Sequence, residues 1–313
     1  MGRKKSSPKV SLVTVAYNRA HLIERSIESV LKQTFKDWEL IIVDNGSTDN
    51  TREVLKKYKA SKYKKKIRIF HLEENRRYAG GVNFGMDQIR GEWFSWHDDD
   101  DEIIPEALET LLKVPEEIDP SINAVTCNCI DTTTKKFSGH GIEEDGYLSY
   151  EDIMTKVSGE FWGITKTELL GDKRLNEELV GFEATLWNQI DRVANRYYIH
   201  KPLRIWYTDH AGTISKALRK KNVSTKAKIY RALINEGMYW EDMRKYQPNK
   251  YLSKLAKGMV YLYGDGDTSN AQLYEQQLKG ESRSIRHALL SRVAKSLPPG
   301  VLKGIIQAVP TGD

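Results

Sequence analysis

The sequence predicts an α/β fold, a mostly parallel sheet flanked by helices, and three observations carry that prediction. Short continuous apolar runs rich in β-branched and aromatic residues recur, as in "KVSLVTVAY", "WELIIVD" and "EWFSW". Stretches with a single apolar stripe at helical spacing lie between them, and Gly, Asn, Ser and Asp gather at the junctions. Continuous apolar strands alternating with amphipathic helices are what a parallel sheet covered on both faces requires.

Each element has its own signature. "KVSLVTVAY" reads as a buried strand. "RAHLIERSIESVLKQ" places Ile23, Ile27, Val30 and Leu31 on one stripe of an otherwise charged helix. "WELIIVD" is a second buried strand, and "NGSTDNTREVLKKY" is a turn entering a helix capped by Ser47, Thr48 or Asp49. "KIRIFHL", the mostly helical "RYAGGVNFGMDQIR" and the strand "EWFSW" continue the alternation.

A chain of 313 residues suffices for one large domain or two with a substantial core, and hydrophobic and aromatic fractions of 39% and 10% exclude general disorder. The net charge of +6 favours phosphorylated ligands or an anionic surface. Cys127 and Cys129, in "VTCNCI", fall at alternate strand positions and read as buried thiols rather than a disulfide. No apolar run approaches the roughly 20 residues that span a bilayer, and the N-terminus lacks a signal-peptide core. The expected location is therefore cytoplasmic. There is no GxGxxG after the first strand and no GxxxxGK[ST] loop, which argues against dinucleotide oxidoreductases and P-loop nucleotidases.

In "WFSWHDDDDEIIPEAL", Asp98 to Asp101 stand between a strand and a helix start near Pro105. Neighbouring carboxylates 5 to 6 Å apart repel by about 1 to 3 kcal/mol near a surface. The positive end of a helix dipole accounts for one or two acids, whereas a run of four also fits a hard divalent cation held through oxygen. Ligands of parallel sheets bind beyond the carboxyl ends of the strands. Asp44 ends one strand and the aspartate run follows another, so these acids are expected to share one cleft.

"VSLVTVAYNRAHLIERSIESVLKQTFKDWELIIVDNGSTDNT" resembles the opening of family 2 glycosyltransferases, which have the GT-A fold. The likeness continues through "NRRYAGGVNFGMDQIRGEWFSWHDDDDEIIPEAL" and, more faintly, to about residue 215. It implies a GT-A catalytic domain over residues 1–215 and a basic helical region over 216–313. It also implies an inverting hexosyltransferase that uses a nucleotide-sugar, a UDP-sugar above all, with Mn²⁺ or Mg²⁺ and a glycan or lipid-linked acceptor.

The resemblance assigns roles residue by residue. Ala16, Tyr17 and Asn18, in "VAYN", would line the base pocket, and Asp44 would accept the uracil N3 hydrogen. Arg77 would approach the diphosphate, although many relatives place an arginine where this chain has Val82. The D-x-D pattern falls on Asp98, Asp99 and Asp100: Asp98 near ribose or metal waters, Asp99 near the ribose, Asp100 on the cation itself. Asp101 belongs to the sugar and acceptor side or to the helix that follows. His210, in "IWYTDHAGTIS", is a further metal or diphosphate contact, and Trp162 would stack on an acceptor sugar. Relatives carry a Glu-Asp pair whose aspartate is the base; here the stretch is "VGFEATLWNQIDR", with Phe182 in place of the first acid and Glu183 at the base position.

Beyond residue 215 the chain is basic and helical, ending in "SIRHALLSRVAKSLPPGVLKGIIQAVP", two amphipathic segments split by Pro298 and Pro299. These could lie on the inner face of an anionic membrane, or pack on the catalytic domain or a sister subunit. Nucleic acid is not an expected partner. The rival to an enzyme is a GT-A-fold protein that has lost catalysis and binds a polyanion, membrane or partner enzyme through its basic surface.

Overall fold

A computed structural model of the chain describes residues 7–179, 181–208 and 222–308. The chain divides into two compact units, Met1–Glu177 with Leu186–Ala211, and Glu178–Thr185 with Gly212–Asp313.

In the first unit, β1 (Val10–Ala16), β2 (Trp38–Asp44), β3 (Ile67–His71) and β4 (Trp93–Trp96) form a parallel block in the order β3-β2-β1-β4. The apolar runs of β1 and β2 are buried on both faces, β2 with no exposed residue along its length, whereas the edge strand β3 is only partly covered. The sheet continues through β10 (Phe161–Lys166), antiparallel to both β4 and β6 (Ala124–Asp131). Next come β11 (Arg196–Trp206), parallel to β6, and the short β5 (Glu102–Ile103), antiparallel to β11. β8 (Gly146–Leu148) also pairs with β11, and β7 (Gly139–His140) pairs with β9 (Ser158–Gly159) in a small separate ribbon.

Helices cover both faces. α1 (Ile23–Leu31) buries Ile23, Ile27 and Val30 in the main core, as its stripe predicts. α2 (Thr51–Lys59) and α4 (Ala107–Glu117) add Leu55, Leu108 and Leu111 to the same core. α3 (Arg77–Met86) lies so close to β1 that a Cβ on Gly81 would stand 2.6 Å from Val15 Cγ1, and one on Gly85 2.5 Å from Val13 Cγ1. That approach explains the glycines in "AGGVNFGM". α5 (Tyr150–Thr155), opened by a Ser149–Asp152 capping box, and α6 (Thr167–Leu170) complete the connections. α7 (Ala184–Asp191) buries Leu186 and Ile190 beside Phe94.

The second unit holds α8 (Val223–Leu233), α9 (Gly237–Tyr246), α10 (Pro248–Gly264), α11 (Thr268–Glu281), α12 (Ile285–Ser296) and α13 (Pro299–Ala308). Its core gathers around α10, with Tyr230, Trp240, Tyr251 and Tyr274 meeting edge to face. Leu179 and Phe182 join this core, Phe182 against Tyr239, which is why Glu178–Thr185 groups with this unit. Among the described residues no helix is long and apolar enough to cross a membrane.

Candidate active site

β1 and β2 end in register, Ala16 opposite Asp44, and β4 runs beside β1 with Trp96 opposite Val13, so three carboxyl ends open on one edge. The loops leaving that edge are stitched together by side chains. Asn18 takes a left-handed φ of 55°, which asparagine tolerates, and its side-chain carbonyl accepts the Thr48 N–H at 2.8 Å. The Asn18 N–H donates to Ser47 Oγ at 3.0 Å, and the Arg19 N–H to Thr51 Oγ1 at 2.8 Å. The polar residues of "DNGSTDNT" thus hold the first loop in place.

The aspartate run leaves β4 with its charges divided. Asp99 is 8% exposed and takes Arg19 Nε at 3.3 Å. Asp98 and Asp101 share the Nη2 of Arg204, a β11 residue only 3% exposed, whose Nε also donates to Asp101 at 2.8 Å and whose Nη1 donates to Glu160 at 3.3 Å. Asp100 offers its backbone carbonyl to Arg25, whose guanidinium lies 3.5 Å from the centre of the Tyr207 ring. Among the described residues, two arginines therefore face the four carboxylates of Asp98, Asp99, Asp101 and Glu160.

That imbalance shows in the acidities. Burial, with the charges of Asp100 and Asp98 adding to it, lifts Asp99 well above the usual carboxylate range against the pull of Arg19. Burial likewise pushes Asp101 up to about 6 and Glu160 up to about 7, with Arg204 opposing in both. An added cation would relieve the surplus. The donors are all oxygen, which suits Mg²⁺ or Mn²⁺. Among the described residues, however, no three His, Cys, Asp or Glu side chains converge as a ready metal cage. A cation here would fill its shell with diphosphate oxygens and water, as Mg²⁺ commonly does.

Several expected ligands sit differently from the sequence reading. Asp44 is fully buried: it accepts the Ser47 N–H at 3.0 Å and Arg52 Nε at 2.9 Å, with His71 Nδ1 2.9 Å away. Burial alone would raise its carboxyl, but these bonds hold it below the ordinary value. Asp44 thus braces its own loop. Ala16 is also fully buried, its carbonyl taken by the Asn45 N–H at 2.8 Å. Trp162 is a core residue, 5% exposed with its indole N–H on the Trp96 carbonyl at 2.9 Å, so it has no free face for a sugar. Asp101, 1% exposed, is spent on Arg204 and on the Tyr207 N–H at 2.9 Å, not on an acceptor.

Others are less deeply placed or lie outside the described residues. Tyr17 is 41% exposed at the mouth of β1. Arg77 is exposed, and its guanidinium has no partner among the described residues. It opens α3 at a φ of 61°, a conformation costly for arginine that Asn45 Nδ2 and Asn75 Oδ1 hold by bonds of 2.7 Å to its carbonyl and N–H. Glu183 is half-buried just ahead of α7, in the segment that groups with the helical unit. His210 lies outside the described residues. Arg204 and Glu160 were missed by sequence reasoning; the one signal was an arginine amid the apolar strand "PLRIW".

A sequence profile described as "Glycosyl transferase family 2" matches residues 11–180, more than half of the chain. The chain belongs to that family. It is 39% identical over 206 residues to the GalNAc(5)-diNAcBac-PP-undecaprenol beta-1,3-glucosyltransferase of Campylobacter jejuni, an alignment covering 64% of each chain. The structure of S. aureus TarS residues 1–349 in complex with UDP-GlcNAc matches with a TM-score of 0.64 at 18% identity, over 96% of this chain and 91% of that one. The mannosyltransferase PcManGT from Pyrobaculum calidifontis, in complex with GDP-Man and Mn2+, matches at 0.53 and 18% identity, over 96% and 84%. These likenesses establish a GT-A-type α/β fold and a transferase family.

Proposed function

We propose that this chain moves a hexose from a nucleoside-diphosphate donor, UDP-linked, to a hydroxyl of a lipid-linked glycan, inverting the anomeric carbon. The observation that carries the reading is the run Asp98 to Asp101 on the ligand edge of the sheet, with Asp99 and Asp101 buried and more carboxylates than arginines among the described residues, together with an exposed Tyr17 and an Arg77 whose guanidinium has no partner among those residues. Family membership supports it, as do the UDP-GlcNAc complex of TarS and the undecaprenol-linked acceptor named for the Campylobacter relative.

In this reading Tyr17 packs on the base, and Arg77 pairs with diphosphate oxygens in the bidentate manner of a guanidinium. Asp98 and Asp100 would hold Mn²⁺ or Mg²⁺, and a cation there would supply positive charge to the departing diphosphate. The acceptor oxygen bonds to the anomeric carbon as the bond from that carbon to the β-phosphate oxygen breaks. Glu183 takes the acceptor proton, and the electron pair leaves with the nucleoside diphosphate.

Thermal unfolding with UDP, GDP and their sugars, each with Mn²⁺, Mg²⁺ or chelator, tests the donor site. A ligand at about 100 times its Kd adds roughly 2.7 kcal/mol to stability. Metal-dependent stabilisation by uridine nucleotides is expected. Indifference to every nucleotide with metal present would sink the reading and favour a non-catalytic binding protein.

A further inference from the structure

Helices α12 and α13 carry an apolar face that nothing among the described residues covers. On α12, Ser291 and Ala294 turn into the helical unit, whereas Ile285, Leu289 and Val293, each one turn from the next, are 85, 61 and 42% exposed. On α13, Leu302 is buried, while Val301 and Ile305, again one turn apart, are 50 and 48% exposed. Single exposed aliphatic residues need no account. Three along one line of α12, with two more along α13, exceed isolated exposure and mark an interaction surface.

The charge around this patch has one sign. From Ser282 to Gly312 the chain holds Arg283, Arg286, Arg292, Lys295 and Lys303 and no Asp or Glu, five of the net six positive charges of the whole sequence. Arg286, Arg292 and Lys295 are exposed and have no carboxylate partner among the described residues. Arg292 sits between Leu289 and Val293, and Arg286 follows Ile285, so cations border the stripe itself. A second copy of this face would set five cations against five. A polyanion in water would leave the aliphatic stripe exposed. An anionic bilayer answers both features: aliphatic side chains enter the headgroup boundary while guanidinium and ammonium groups reach the phosphates.

We propose that the α12–α13 face docks the protein on an anionic phospholipid surface. The inference deepens the lipid-linked acceptor reading and rests on it for choosing a bilayer over other anionic surfaces.

Flotation of the full chain with vesicles of phosphatidylcholine, alone or mixed with phosphatidylglycerol, tests it. Binding to the mixed vesicles is expected, weakening with salt. The pair Arg286→Ser and Arg292→Ser should lower that binding by about 25-fold, about fivefold per cation. The pair Ile285→Ser and Leu289→Ser should weaken binding to either vesicle. All four positions are exposed, so circular dichroism should be unchanged. Binding of UDP-sugar without vesicles is measured in parallel and should be the same in every variant. A protein that binds UDP-sugar but not anionic vesicles overturns the docking proposal alone, whereas vesicle binding without nucleotide binding overturns the donor reading alone. Equal vesicle binding by wild type and variants, or self-association in lipid-free buffer that Ile285→Ser and Leu289→Ser abolish, also overturns it.

Discussion

Arg204 is the residue on which the acid loop most depends. Its guanidinium is buried on β11 and serves Asp98, Asp101 and Glu160 together. Removing one partner of a buried ion pair leaves the others as unpaired charges, at a cost of about 3 to 5 kcal/mol. Arg204→Met is therefore expected to lower the unfolding free energy measured in urea by that order, with a lower midpoint, and to abolish nucleotide-induced stabilisation. Arg204→Lys keeps the charge but not the fork, so it should recover part of the stability and little of the ligand response. A midpoint unchanged in Arg204→Met would show that Asp98 and Asp101 hold their places without it. Glu183 calls for the opposite signature: Glu183→Gln should bind UDP-sugar normally in calorimetry while turnover falls on the order of 100- to 10,000-fold. Unchanged turnover would remove it as the base, and Glu160→Gln is then the variant to compare. The acid run was legible in the sequence because four consecutive carboxylates demand an account. Their partners were not, because Arg204 is brought to them by the pairing of β11 with β5, from more than a hundred residues away.

Among the elements, α3 shows how a local pattern encodes a packing distance. Gly81 and Gly85 leave no side chain between helix and β1, and a methyl at either would press on Val15 or Val13. Both valines lie on the strand that leads to Tyr17. Overpacking of this kind costs about 1 to 3 kcal/mol. Gly81→Ala is accordingly expected to lower stability within that range in chemical denaturation and to weaken donor binding, because α3 also carries Arg77 at its start. Equal stability would mean that α3 can move outward freely. Continuous apolar strands and helical stripes made β1 to β4, α1 and α3 readable. The insertion of β10 antiparallel between β4 and β6 was not readable, since strand order rests on pairings between distant segments that leave no local trace. Cys127 and Cys129 are both buried and free, as alternate positions on β6 suggest, although residues 127 and 129 share that burial with Asn128 between them.

At the scale of the whole molecule, the two units rest on different chemistry. The first is a sheet core with buried charges at its ligand edge and also, at Glu39 and Arg196, away from it; the second is a helical bundle of aromatic contacts with a buried carboxylate tying three of its helices. That carboxylate is Glu275 on α11. It accepts from Tyr263 Oη on α10 at 2.7 Å, from Ser291 Oγ on α12 at 2.5 Å and from Lys279 Nζ at 2.6 Å. Burial alone would raise its pKa, but these bonds outweigh it and hold the pKa at about 2, against 4.5 for an unperturbed glutamate. Because the folded value lies below the unfolded one, the stabilisation is fully present above the unfolded value. It is lost as the pH falls toward the folded one. Linkage across that window amounts to about 2 kcal/mol between about pH 6 and about pH 3. Denaturant unfolding of the full chain, followed through the tryptophan fluorescence of the helical unit, should show that loss. Glu275→Gln should be less stable near neutral pH yet show a correspondingly flatter profile, and Tyr263→Phe should fall between the two. A wild type and a Glu275→Gln variant with the same pH slope would show that the carboxylate is not what ties α10, α11 and α12 together. The acid lability would then have to come from the carboxylates of the sheet unit, where ionised Asp44 is held below its ordinary value by Ser47, His71 and Arg52 against the cost of burial.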